Sequence, residues 1–214
     1  KCSLIVLFIA WMTLISMSKM KRKFILLLLL CIAHIGGYAK ITLPGYFADN
    51  MVLQQQTKVL ISGQSSGKGF VELRVGWDKK VYKADIGIGG EWSIEVETPK
   101  AGGPYDIVLS DGEECFLHNV LIGEVWLCSG QSNMEMPLAG WGKVMNYEKE
   151  IAEADYPYIR LFQVKKETSL TPRKDLASTM GGWKECSPTM IPNFSAVGYF
   201  FARNLWRELG VPIG

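Results

Sequence analysis

Small and polar side chains crowd one short stretch, Ser129-Gly130-Gln131-Ser132-Asn133, directly after the apolar run Val125-Trp126-Leu127-Cys128. A serine hydroxyl is a poor nucleophile until a base can take its proton and fixed donors can hold the oxyanion that forms. The carboxyl end of a parallel strand suits such chemistry, because the loops there open into a crevice. Gly130 is expected to let the backbone bend sharply and to admit a close approach. Ser132 lies past that bend, where its hydroxyl and its N–H can both face a reacting atom, whereas Ser129 is nearer the strand and expected to bond locally. Spacing alone leaves turn capping as the bland alternative, since serines commonly stabilise turns.

Other chemistries find less support. Retaining glycosidases need two carboxylates about 5 Å apart; Glu124 and Glu135, which bracket the turn, read instead as a solvent-facing residue and a first-turn helix acid. The body after the first 39 residues has three cysteines, Cys115, Cys128 and Cys186, no CxxC spacing and one histidine, which argues against a zinc site and against a dense disulfide framework. Cys128, inside the apolar run, is expected to be a buried small hydrophobe. His118 stands before the strand that leads to Ser132, about 20 Å of extended chain from the turn, too far for direct proton transfer. It reads as a hydrogen-bonded residue at a domain junction. Trp141 and Trp183, both beside glycines, can stack on sugars but more commonly pack over a core edge.

The elements that must hold the turn fall into two parts. From Ile41 to about Val120 the pattern is β: Lys58 to Ser62, Phe70 to Val75, Val81 to Ile86, Trp92 to Val96 and Tyr105 to Leu109 are rich in β-branched and aromatic residues, with glycine-rich breakers between them. In FVELRV, Val71, Leu73 and Val75 are expected on one face and Phe70, Glu72 and Arg74 on the other. Residues 40–120 therefore read as an immunoglobulin-like β-sandwich domain. After Leu121 the pattern changes. VWLC suggests a strand covered on both faces, NYEKEIAEAD a short helix and YIRLFQV a further strand. NFSAVGYFFARNLWRELG is the best helix, with Asn193 as its cap. Phe194, Val197, Phe201, Leu205 and Leu209 form its expected apolar face, and Gly210 its left-handed stop. VPIG then reads as the start of another strand. Residues 121–214 are thus expected to be the first part of an α/β domain whose strand–helix–strand layer is unfinished.

Residues 1–39 look like an upstream extension and a signal peptide: Lys19 to Lys23 form the basic region, Phe24 to Ile35 the apolar region, and cleavage is expected near Ala39. Neither apolar run there reaches the ~20 residues of a membrane span. Export to the periplasm or the extracellular space follows, with no stable membrane span after cleavage. The net charge of +2 belongs to this leader, which holds five of the 23 bases and no acid. The remaining 18 bases face 21 acids, a net of −3, which argues against a nucleic-acid partner.

IGEVWLCSGQSNMEMPL resembles the first catalytic block of the sialate O-acetylesterase family, a branch of the SGNH (GDSL-like) serine hydrolases, in which GQS stands where the broader group has GDS. PGYFADNMVLQ and FSAVGYFFARNL extend the likeness over most of residues 41–214. The resemblance implies that Ser132 is the nucleophile and that a β-rich domain precedes an SGNH-type α/β hydrolase domain. It also implies that the substrate is an O-acetylated sugar or glycan, and that neither metal nor cofactor takes part. The group's remaining oxyanion donors and its histidine and acid have no counterpart in these 214 residues, so the chain alone is expected to be inactive. A non-catalytic carbohydrate- or protein-binding β-sandwich module with a scaffold domain is the alternative.

Overall fold

The computed structural model describes residues 40–142, 144–173 and 175–214. The leader reading therefore lies outside the described residues. Among those described, no helix is long and apolar enough to cross a membrane.

The β-rich part builds two sheets around one core. One is antiparallel, in the order β1 (Ile41–Thr42), β3 (Lys58–Ser65), β6 (Glu91–Glu97). The other is mixed and five-stranded: β2 (Val52–Gln54), β8 (Glu114–Gly123), β7 (Gly102–Ser110), β4 (Phe70–Val75), β5 (Val81–Asp85). The alternating sequence dictates the packing. Val71, Leu73 and Val75 of β4 are buried, as are Trp92, Ile94 and Val96 of β6, while the intervening acids of β6 face solvent. Ile61, Ile107, Leu109 and Val120 complete the fully buried centre. All five expected strands form. One pairing departs from an all-antiparallel arrangement: β2 runs parallel to β8, with Val52 opposite Leu121 and Gln54 opposite Gly123.

The second part has its own core of Leu138, Ala154, Ile159, Leu161, Cys186, Ile191, Ala196 and Tyr199. Its elements are α1 (Ser132–Glu135), α2 (Tyr147–Ala152), β9 (Tyr156–Leu161), β10 (Lys184–Cys186) and α3 (Ala196–Leu209). β10 pairs antiparallel with β9. The expected strand start at VPIG is found: Ile213 bridges in parallel to Ile159 on one side and to Glu124 on the other. Its N–H donates to the Tyr158 carbonyl at 2.9 Å, and the Gly214 N–H to the Glu124 carbonyl at 2.8 Å. Three segments, 158–160, 212–214 and 124–126, thus run side by side, and α3 crosses between the first and the second.

Gly123 is one point at which this layer touches the β-rich part. A Cβ there would overlap the Pro212 backbone, lying 2.7 Å from its carbonyl carbon. Only glycine admits the strand 212–214 at that distance.

Two expectations about α3 are corrected. Its cap is Ser195, whose hydroxyl accepts the Gly198 N–H; Asn193 sits in the preceding 3-10 turn. Its buried face is Ala196, Gly198 and Tyr199, with Ala202 and Trp206 packed alongside, whereas Val197, Phe201 and Leu209 are exposed. The helix is apolar around much of its circumference, so periodicity alone could not choose between two adjacent faces. Gly210 does take the left-handed stop conformation (φ 64°) and donates to the Trp206 carbonyl.

Candidate active site

The run before the serine turn does not form the doubly covered strand its composition suggests. Hydrogen bonding from 212–214 reaches Trp126 and ends there, with the Trp126 N–H donating to the Gly214 carbonyl at 3.0 Å. Val125, Trp126, Leu127 and Cys128 are all exposed, Leu127 to 89%. The Trp126 ring stands edge-on to Phe201 of α3, with centroids 5.1 Å apart. Cys128 is therefore an exposed free thiol rather than a core residue.

The start of the run is anchored by β2. The Glu124 carboxylate accepts from the Gln54 Nε2 at 3.0 Å and the Gln55 Nε2 at 2.8 Å, and the Gln54 Oε1 accepts the Val125 N–H at 2.9 Å. These two amide donors favour the ionised carboxylate and hold Glu124 below the usual glutamate range. Glu124 is thus a strand clamp rather than a merely solvent-facing residue. Glu135 takes a different partner, an ion pair with Lys166.

Ser132 opens α1, which is closed by two backbone bonds, Glu135 N–H to the Gln131 carbonyl at 3.0 Å and Met136 N–H to the Ser132 carbonyl at 2.9 Å. Residues 129 to 133 are all exposed. Among the described residues, the side chains of Ser129, Gln131, Ser132 and Asn133 make no hydrogen bond, so the expected local bond of Ser129 is not formed. The hydroxyl of Ser132 is therefore presented to solvent rather than spent on capping. Gly130 serves by size, not by a left-handed backbone: a Cβ there would come 3.0 Å from Met134 Cβ.

Ser195, which the sequence reading passed over, reaches this turn. Its hydroxyl donates to the Met134 carbonyl at 2.5 Å while accepting the Gly198 N–H at 3.1 Å. The backbone beside it is stitched to the chain leaving α1, through Ala196 N–H to the Met136 carbonyl at 2.9 Å and Leu138 N–H to the Phe194 carbonyl at 3.1 Å. Serine is as good a cap as asparagine, so Ser195 was as available from the sequence as Asn193.

His118 stays with the β-rich part. Its Nδ1 lies 3.2 Å from the Asp106 carboxylate, its ring stacks on Phe116, and its backbone N–H donates to Asp49. Trp183 donates its indole N–H to the Tyr46 carbonyl at 2.8 Å and packs on Phe162, a structural role, whereas Trp141 is 69% exposed. Cys186 is buried, and burial pushes its thiol up to about 12. Among the described residues no His, Cys, Asp and Glu cluster is spaced to hold a metal ion.

No protein-family model matches the chain. Curated relatives do. The chain is 31% identical to the sialate O-acetylesterase of Rattus norvegicus over 208 residues, covering 88% of the chain and 38% of that enzyme. It is 28% identical to the sialate O-acetylesterase of Homo sapiens over 186 residues, covering 79% of the chain and 35% of that enzyme. Among solved structures it superposes on a carbohydrate acetylesterase from Xanthomonas citri with a TM-score of 0.75 and 36% identity, over 82% of this chain and 39% of that one.

A mostly β unit with a mixed sheet, joined to short parallel pairings, is thus the fold this chain shares with a carbohydrate acetylesterase. Its relatives at 28–34% identity carry the assignment further: the chain falls in the sialate O-acetylesterase family, the one its GQSNM motif resembles. It spans less than two fifths of the length of these relatives.

Proposed function

We propose that the protein containing this chain removes acetyl esters from sugars, in the manner of a sialate O-acetylesterase, with Ser132 as nucleophile. The observation that carries the reading is the turn itself. The third residue of GQS is exposed, its hydroxyl is uncommitted among the described residues, and it follows a segment paired in parallel with a strand. In this reading the Ser132 Oγ attacks the acetyl carbonyl and passes its proton to a base. The tetrahedral intermediate then expels the sugar oxygen, which leaves protonated, and water cleaves the acetyl-serine. The Ser132 N–H is the natural first donor to the oxyanion.

No described residue offers Ser132 a proton acceptor, and His118 is engaged with Asp106. The base and its acidic helper are accordingly assigned to polypeptide beyond these 214 residues, and the chain alone is expected to be inactive. The same reading takes residues 40–120 as an immunoglobulin-like supporting domain and 121–214 as the first part of an SGNH-type hydrolase domain. It takes residues 1–39 as a leader that directs export.

The test is turnover of an acetylated chromogenic ester by the product of the complete reading frame, with fluorophosphonate labelling mapped by mass. Label at Ser132, and a loss of about a thousandfold or more in kcat for Ser132→Ala, are expected. Wild-type turnover by Ser132→Ala overturns the assignment. Turnover by the 214-residue chain itself overturns the placement of the base outside it.

A further inference from the structure

A helix of four residues closed by two backbone bonds has no stability of its own, because helix nucleation costs more than one turn returns. Something outside α1 must fix the angle at which Ser132 is displayed. Exposed ion pairing of Glu135 with Lys166 is a weak restraint, since both side chains are about half or more open to water. Beside the backbone bonds that tie Met136 to Ala196 and Leu138 to Phe194, the side-chain restraint inside the turn is the Ser195 hydroxyl. It is half-buried, it uses its proton on the Met134 carbonyl at 2.5 Å, and it uses a lone pair on the Gly198 N–H at 3.1 Å. One oxygen thus joins the wall of the serine turn to the first turn of the 14-residue helix α3, whose buried residues are anchored in the second core.

We infer that Ser195 is a positioning residue for the nucleophilic turn, acting through the Met134 carbonyl rather than by touching substrate. The inference rests on the reading of Ser132 as nucleophile. Two functions share the one oxygen, capping α3 and holding α1, and they need opposite hydrogen-bond roles. An ionised aspartate can accept from Gly198 N–H and so keep the cap, yet it has no proton for the Met134 carbonyl and repels it. A threonine keeps both.

The experiment compares Ser195→Ala, Ser195→Asp, Ser195→Thr and Ser132→Ala. In the product of the complete reading frame, Ser195→Ala and Ser195→Asp are expected to lower kcat by about ten- to a hundredfold at unchanged KM, the scale of a nucleophile displaced by about 1 Å. Ser195→Thr is expected to stay within about threefold of the wild type. In the 214-residue chain, exchange of the Glu135 and Met136 amides should quicken about tenfold or more in the alanine and aspartate variants, while the β4 and β7 amides keep their protection, which confirms folding. Wild-type kcat in Ser195→Asp would reduce Ser195 to a helix cap and overturn the inference, as would unchanged exchange at Glu135 and Met136. Wild-type activity in Ser132→Ala with quickened exchange in Ser195→Asp overturns the nucleophile and leaves the tether standing, so the two failures are distinguishable.

Discussion

Arg160 reaches across from β9 to the β-rich part and donates from one guanidinium nitrogen to both the backbone carbonyl and the Oδ1 of Asn50, each at 3.2 Å. The same group donates to Asn119 Oδ1 at 3.2 Å, to the Pro157 carbonyl at 2.8 Å, and pairs with Glu185 at 3.2 Å. Its side chain is only 3% exposed, and burial lowers its pKa from the ordinary arginine value although Glu185 opposes the shift. A charge so placed is retained because its planar fork satisfies several acceptors on two bodies of chain at once. Arg160 thereby sets β9 against the β-rich part, and β9 in turn seats the strand that pairs with Glu124.

Replacing Arg160 by alanine is expected to cost about 2–4 kcal/mol, because it leaves the Asn50 backbone carbonyl and the Asn119 Oδ1 without their donor in a half-buried seam, while the Asn50 Oδ1 keeps the Asn119 amide at 2.7 Å. Lysine should recover little, having no fork to span the same acceptors. Glu185→Gln should cost under about 1 kcal/mol, since its side chain is 48% exposed. Urea midpoints of the three variants check this order, and an Arg160→Lys as stable as wild type would refute it.

The β-rich part was legible because its strands alternate. Val71, Leu73 and Val75 had one face to choose, and each lands in the core. The turn at Ser132 stands out in the sequence because its composition is unusual, and its residues 129 to 133 are exposed. The region between was not. VWLC reads as buried because its residues are apolar, but burial needs a covering surface, and no described residue covers Leu127. The α3 face was misread for a related reason: Phe201 and Val197 are as apolar as Tyr199 and Ala202, and only the positions of β9 and α2 decide which row is buried. The Arg160 seam, the Gln54 and Gln55 clamp on Glu124, and the Ser195 tether join residues far apart in sequence, where neither period nor spacing carries a signal.

Glu124 makes stability depend on acid. Its carboxylate is lowered from about 4.5 by the two glutamine donors. A group whose folded value is depressed contributes stability that is fully present above the unfolded value and is lost as pH falls through the folded one. Glu124→Gln should therefore be less stable than wild type at pH 7, and the gap should narrow as pH falls below the ordinary value of about 4.5. Urea titrations at pH 7 and pH 3.5 measure it; a gap that widens in acid contradicts the clamp.

Gly123→Ala tests the seam between β8 and the parallel layer. The added methyl would press on the Pro212 backbone, so strand 212–214 must move away. A loss of about 1–3 kcal/mol is expected, together with faster exchange of the Glu124 and Gly214 amides, which bond the Pro212 and Glu124 carbonyls. Unchanged protection at both amides would mean the strand has room to spare.

The three described cysteines should separate by reactivity. A thiol reacts as its thiolate, so both access and acidity matter. Cys186 is 1% exposed and its thiol is pushed up to about 12, which leaves it almost wholly protonated at pH 8. Cys128 is exposed, although desolvation raises its thiol somewhat, so it should alkylate slowly but in the native state. Cys115 is half-buried, and desolvation with Asp49 and Asp111 nearby raises it as well. Timed iodoacetamide labelling at pH 8, read by peptide mass, should give Cys128 first, Cys115 later and Cys186 only after urea unfolds the second core. Native labelling of Cys186 ahead of Cys128 would show that α3 and the rest of the second core do not close over it. Protection of Cys128 would show that the run leading to Ser132 is covered in solution.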